Sequence, residues 1–207
     1  EAMTKATKLP VTIKTRIGYN DVEDFEFLKS FIQTTKDAGS KKFIIHARKA
    51  LLKKLSPKEN LNVPPLKYDY VYKLKDHFKN DEIIINGGFK TTYEIKSHLQ
   101  RVDGVMIGRG SQGRPWIIGQ AGDLLSKKRI RKTPTINQRR DIMLAHLEDM
   151  LVCYGSNGMR LARKHIAWYA HGLPGSAALR DVANNTYNSS KVFKAVDRFF
   201  EKQCEAA

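Results

Sequence analysis

The sequence is poor in cysteine, poor in acidic residues relative to basic ones, and without any long apolar run. Its two cysteines, Cys153 and Cys204, lie far apart and form no CxxC pair. That argues against a disulfide framework and against a zinc site. No apolar stretch approaches the roughly 18 residues of a membrane span, and no secretory or lipidation signal is visible. No metal and no membrane partner are therefore expected. The 21 acidic residues face 37 Lys and Arg, a formal net charge of +16. Such an excess attracts polyanions, nucleic acid first among them. What remains is an ordinary globular composition over 207 residues, 41% hydrophobic and 28% charged, enough for one large domain or two small ones. The chain opens on Glu1, and EAMTKATKLP reads as the end of a helix running into a strand. The expectation is the later part of a longer protein.

Between residues 10 and 118 short β-branched runs alternate with helical patterns. Residues 10–16 form an extended run closed by Gly18, and 24–37 carries Phe27, Leu28, Phe31 and Ile32 at helical spacing before Gly39. A strand is expected at 43–46, a helix at 70–78 and a strand at 83–86 ended by Gly87-Gly88. A helix capped by Thr91 or Thr92 follows to Leu99, then a strand at 102–107 ended by Gly108-Arg109-Gly110. Alternation without hairpin signals calls for parallel strands joined by helical crossovers. The strands read as apolar on both faces, which suits a sheet covered on two sides. The connection from Ala47 to Asp69 is long and carries Lys53, Lys54 and Lys58. Long loops after strands in α/β folds are usually functional. After Leu125 the pattern changes to a basic linker, 126–134, and then to helices at 135–153, 158–171, 176–184 and 189–204. The domain expectation is 1–125, 126–134 and 135–207.

Four βα units alone leave a doubly wound sheet and a barrel both open. The strand ends favour a barrel, because its functional groups gather at the C-terminal ends and phosphate binds near the last two strands. Those ends carry Lys14 and Arg16, then His46 and Arg48, then Asn86-Gly87-Gly88, then Gly108-Arg109-Gly110. Two adjacent glycine turns let backbone N–H groups approach an anion, and Arg109 adds charge. Lys14 on a buried strand would need an anionic or polar partner, unless it points outward or pairs with a neighbouring carboxylate. His46, taken alone, reads as a structural histidine, a ligand or a cofactor contact.

The ordered motifs VTIKTRIG, FIIHARKA, LSPKEN with PPL, INGG and DGVMIGRG resemble those of the tRNA-dihydrouridine synthases. HARKALLKKLSPKENLNVPPL is most similar to the A-type subfamily, which modifies uridines 20 and 20a. GRGSQGRPWI and RLARKHIAWYAHGLPGSAALR are closer to the bacterial B-type branch. The resemblance implies an α/β chain: the second half of a (β/α)₈ TIM barrel followed by a small all-α helical bundle. It implies a cytoplasmic, FMN-dependent oxidoreductase that reduces the uridine C5=C6 bond in the tRNA D-loop with NADPH as reductant. By position, Lys14 and His46 would contact the flavin ring system. Asn86, Gly87, Gly88, Gly108 and Arg109 would hold the ribityl phosphate. Lys58, Arg48, Lys49, Arg160, Arg163, Lys164 and Arg180 would face tRNA, with no DNA partner expected. The family's cysteine proton donor sits in an asparagine-x-glycine-cysteine-proline motif on an earlier barrel loop, and no such motif occurs in this sequence. No catalytic residue is therefore assigned. The expectation is an incomplete, inactive portion that needs an N-terminal half to close the barrel. Two alternatives stay open: an RNA-binding protein with a degenerate flavin barrel, and another FMN-dependent barrel oxidoreductase.

Overall fold

The computed structural model describes residues 1–52 and 54–205; Lys53 lies outside the described residues. The chain divides into two compact units. The first comprises Glu1–Gly110 with Ala121–Arg129, and the second Ser111–Gln120 with Ile130–Ala207.

The first unit holds a parallel four-stranded sheet in the order β1-β2-β3-β4. Its strands are β1 (Ile13–Arg16), β2 (Lys42–His46), β3 (Glu82–Asn86) and β4 (Gly104–Met106). Helix α1 (Ala2–Ala6) precedes them, and α2 (Phe25–Asp37), α3 (Tyr68–His77) and α4 (Thr92–Leu99) make the crossovers. Sequential strand order with a helix between each pair is the geometry of part of an α/β barrel. Local signals set the helix starts. The Asp24 side chain accepts the Glu26 N–H, and Thr91 with Glu94 forms a reciprocal capping box. Helix α3 begins two residues before the expected Tyr70, and β4 is shorter than 102–107.

Strand residues alternate between two faces. Phe43, Ile45, Ile83 and Ile85 are fully buried and point to the helix side, where Leu28, Ile32, Val71, Leu74 and Ile95 are also buried. The opposite face differs from expectation. Register places Lys14, Ile44, Ile84 and Gly104 in one row, and Arg16, His46, Asn86 and Met106 in the next. Ile44 and Ile84 are only half-buried there, and Lys14 is exposed. The sheet is thus covered on one face among the described residues. Lys14 sits on the edge strand of that open face, so it is not the buried ammonium that the apolar run suggested.

The second unit contains α6 (Ile136–Tyr154), α7 (Gly158–Tyr169), α8 (Ser176–Asn185) and α9 (Ser189–Glu205), which share one apolar core. Met143, Leu147, Ile166, Val192, Val196 and Phe200 are large side chains buried in it. Thr135 and Gln138 form a capping box at the start of α6. Helical periodicity assigns no element to Trp116–Leu125, which is helix α5. Its Gly119 and Gly122 lower intrinsic helix propensity by about 1 kcal/mol each. Among the described residues no helix is long and apolar enough to cross a membrane.

Candidate anion and cofactor site

The strand ends of the first unit bring positive charge together on the open face of the sheet. His46 and Arg16 are register partners across β1 and β2, and Asn86 is the partner of His46 on β3. Burial pushes the His46 imidazole down to about 4, and the positive charges of Arg16, Lys14, Arg48 and Arg109 add to that push. His46 is therefore neutral at pH 7, with one nitrogen to donate and one to accept. Positive charge from four side chains is felt at this one histidine, a field that favours an anion.

The glycine pair after β3 gives that field a place to act. Gly87 has φ +130° and Gly88 has φ +83°, conformations that L side chains rarely adopt. A Cβ on Gly87 would stand 2.6 Å from Leu66 Cδ2 and 3.1 Å from His46 Cδ2. One on Gly88 would stand 2.9 Å from the Tyr68 hydroxyl. The Tyr68 hydroxyl donates to the Gly87 carbonyl at 2.9 Å, and the Asn86 side-chain amide donates to the Met106 carbonyl at 2.8 Å. The turn is thus fixed from both sides. Behind it Tyr68, Phe89 and His98 form an aromatic cluster, with centroids 4.5 Å apart for Tyr68–His98 and 4.8 Å for Phe89–His98. At Gly108 a Cβ would meet open space. A glycine turn beside positive charge is an arrangement that suits an anion.

The long loop is ordered by arginines from three strand ends. Arg16 Nη1 donates to the carbonyls of Lys49 and Asn60 at 2.8 and 3.0 Å. Arg48 Nη1 donates to the carbonyls of Asn62, at 2.5 Å, and Pro64. Arg109 donates to Asn62 Oδ1 at 2.6 Å and to the Leu61 carbonyl at 2.9 Å. Asn60, only 6% exposed, accepts the Leu51 N–H at 2.6 Å and donates to the carbonyls of Leu51, Leu55 and Ser56. A 3₁₀ turn at Glu59–Leu61 closes this arrangement.

These placements sort the expected residues. Lys14, His46, Asn86, Gly87 and Gly88 lie together at the open face and its C-terminal rim, and Arg109 reaches the same histidine electrostatically. Among the expected tRNA contacts, Lys58, Arg160, Lys164 and Arg180 are exposed. Lys49 is paired with Glu23 at 2.8 Å. Arg48 is 7% exposed, committed to loop carbonyls, with a buried Nε that finds no partner among the described residues. It supports the loop rather than presenting charge to a macromolecule. Arg163 is half-buried under the Tyr187 ring, 4.7 Å from its centroid. The loop roles of Arg16 and Asn60 and the support from Tyr68 and His98 escape sequence reasoning, because each depends on a partner far along the chain. The motif LSPKEN around Asn60 was the signal available.

Comparison with known proteins bears on this geometry. A tRNA-dihydrouridine(20/20a) synthase of Shewanella oneidensis is 40% identical over 182 residues, 87% of this chain and 53% of that protein. One from Yersinia pestis is 41% identical over 185 residues, 87% of this chain and 52% of its own length. One from Pasteurella multocida is 51% identical over 118 residues, covering 57% of this chain and 36% of that protein. The chain spans about half the length of the curated relatives it matches. The family model described as dihydrouridine synthase matches residues 1–205. The chain belongs to the dihydrouridine synthase family.

Proposed function

We propose that this chain carries the phosphate end of an FMN site and a tRNA-facing surface of a tRNA-dihydrouridine synthase. The observation that carries the reading is the row Arg16, His46 and Asn86 at the strand ends beside the Gly87-Gly88 turn, with positive charge around His46. Bound FMN would supply the hydride chemistry that reduces the uridine C5=C6 bond of the D-loop, with NADPH as reductant.

The chain's own groups would then have distinct tasks. Backbone N–H groups at Gly87, Gly88 and Gly108, with the Arg109 charge, would hold the phosphate. The Asn86 amide is already oriented by the Met106 carbonyl. Lys14 would offset negative charge on the ring system, and His46 would donate a hydrogen bond without adding a net charge. The three arginine clamps would hold the loop at Asn60–Pro64 as one rim of the site. A target uridine must leave the RNA stack to meet a flavin, so affinity must come from phosphate contacts and RNA shape. Lys58, Arg160, Lys164 and Arg180 are the candidates whose exposure suits that role.

Disruption of the gene tests this. Dihydrouridine should disappear from a D-loop position of the host's tRNA, read by nuclease digestion and mass spectrometry, and return on complementation. Unchanged D-loop modification would overturn the reading.

A further inference from the structure

The second unit contains a cavity of about 540 Å³ that the flavin site does not use. That volume is ample for one small ring system. Every wall belongs to the same compact unit. Ile142, Ala145, His146 and Asp149 line it from one stripe of α6, at i, i+3, i+4 and i+7. His165, Trp168 and Tyr169 line it from α7 at i, i+3 and i+4. The third side is backbone: Gly113, at φ +70°, lies so close to α7 that a Cβ would stand 2.8 Å from the Tyr169 nitrogen.

Its walls are partly aromatic. His146 and His165 meet edge to face with centroids 4.6 Å apart, and His165 meets Trp168 at 4.9 Å and 85°. The Tyr169 hydroxyl lies 3.4 Å from His146 Nδ1. Burial first, and then the neighbouring His146 and Lys164, hold the His165 imidazole below its ordinary value. At the rim stand two exposed polar groups, the Asp149 carboxylate and the Gln112 amide. Lys164 Nζ lies 6.0 Å over the Trp168 ring, and Arg160 is exposed one turn earlier on α7.

We infer that this cavity receives one unstacked nucleobase of the RNA substrate. Splayed bases are read by stacking on Trp, Tyr and His faces and by hydrogen bonds to their edges. Asp149 and Gln112 offer an acceptor and an amide at the rim for a ligand with polar edges, and Asp149 disfavours an anionic group inside the cavity itself. A base presents two ring faces and N–H donors together, with its phosphate reaching Lys164. Asp149 accepts only, and although every base has an N–H on its pairing edge, the number and spacing of those donors differ. Guanine offers two such donors side by side, which matches a carboxylate. The inference rests on the reading that this unit faces tRNA.

The test uses the full chain with Trp116→Phe, which leaves Trp168 as the one indole, titrated with an unmodified tRNA transcript. Trp168 emission should fall as the base stacks. Asp149→Ala should weaken binding roughly tenfold while the slope of affinity against salt stays unchanged. Removing a carboxylate from a purely electrostatic RNA surface would strengthen binding, so the direction of the change is diagnostic. His165→Ala, checked for folding by circular dichroism, should weaken binding by a similar factor. Tight tRNA binding with unaltered Trp168 emission and undiminished Asp149→Ala affinity would overturn the cavity's role and leave the tRNA-facing reading standing. Failure of the chain to bind tRNA at any salt would overturn both.

Discussion

Acidification should destabilise the protein through His46, and the structure sets the window. In an unfolded chain this imidazole titrates near 6.5, and in the folded chain near 4. Between those values the unfolded state binds more protons. Stability therefore rises with pH across the window, is complete above 6.5 and is lost as pH falls toward 4. A gap of this width corresponds to about 3 kcal/mol at 1.36 kcal/mol per pH unit. Solvent screening around a half-buried ring reduces that to about 1–2 kcal/mol. For a chain of this size about 2–4 °C of melting temperature accompanies each kcal/mol, so the loss from His46 alone is about 2–8 °C between pH 7 and 4. Melting curves of the wild type and His46→Gln over that range isolate it, because other titrating groups are common to both. Heteronuclear NMR reads the imidazole directly. Phosphate should raise the His46 titration point by offsetting Arg16 and Arg109. A His46 that titrates at 6.5 or above without any anion would refute the convergence of charge on which the site rests.

Three further outcomes follow from the packing. Gly87→Ala places a side chain at φ +130° and 2.6 Å from Leu66 Cδ2; strain and crowding together should cost about 2–4 kcal/mol, read by chemical denaturation. Asn60→Ala removes the partner of the half-buried Leu51 N–H and three carbonyl contacts. A cost of about 1–3 kcal/mol should appear with faster amide hydrogen exchange over residues 51–62 and little change in the second unit. Leu147→Ala in the shared core of α6–α9 should cost about 2–5 kcal/mol and leave the His46 titration unmoved.

What was legible in the sequence was mostly local. The capping signal at Thr91 or Thr92, the helical spacing of Leu28 and Ile32, and the runs Phe43–Ile45 and Ile83–Ile85 each carry their own local pattern. They sufficed for the four parallel strands and for most of the helices. The glycine turn after β3 was also legible, since Gly87 and Gly88 end an apolar run. Side-chain destinations were not. Arg48 sits beside His46 in the chain, yet its guanidinium points into the loop and binds carbonyls up to 16 residues away. Lys14 lies among apolar neighbours in sequence but on the edge strand of an open face. Helix α5 has a Pro before it and two glycines inside it, so propensity hid what tertiary contact stabilises. The division of the chain is similarly non-local: Ser111–Gln120 groups with the later helices, and Ala121–Arg129 with the sheet.

The central claim is that the strand ends of the first unit bind the phosphate of a flavin. The most direct measurement compares FMN with riboflavin, which lacks only that phosphate, by calorimetric titration of the full chain. The account predicts that FMN binds more tightly, that inorganic phosphate competes with FMN and not with riboflavin, and that Gly88→Ala closes the gap between the two ligands. Equal affinities for FMN and riboflavin, unmoved by phosphate, would contradict it.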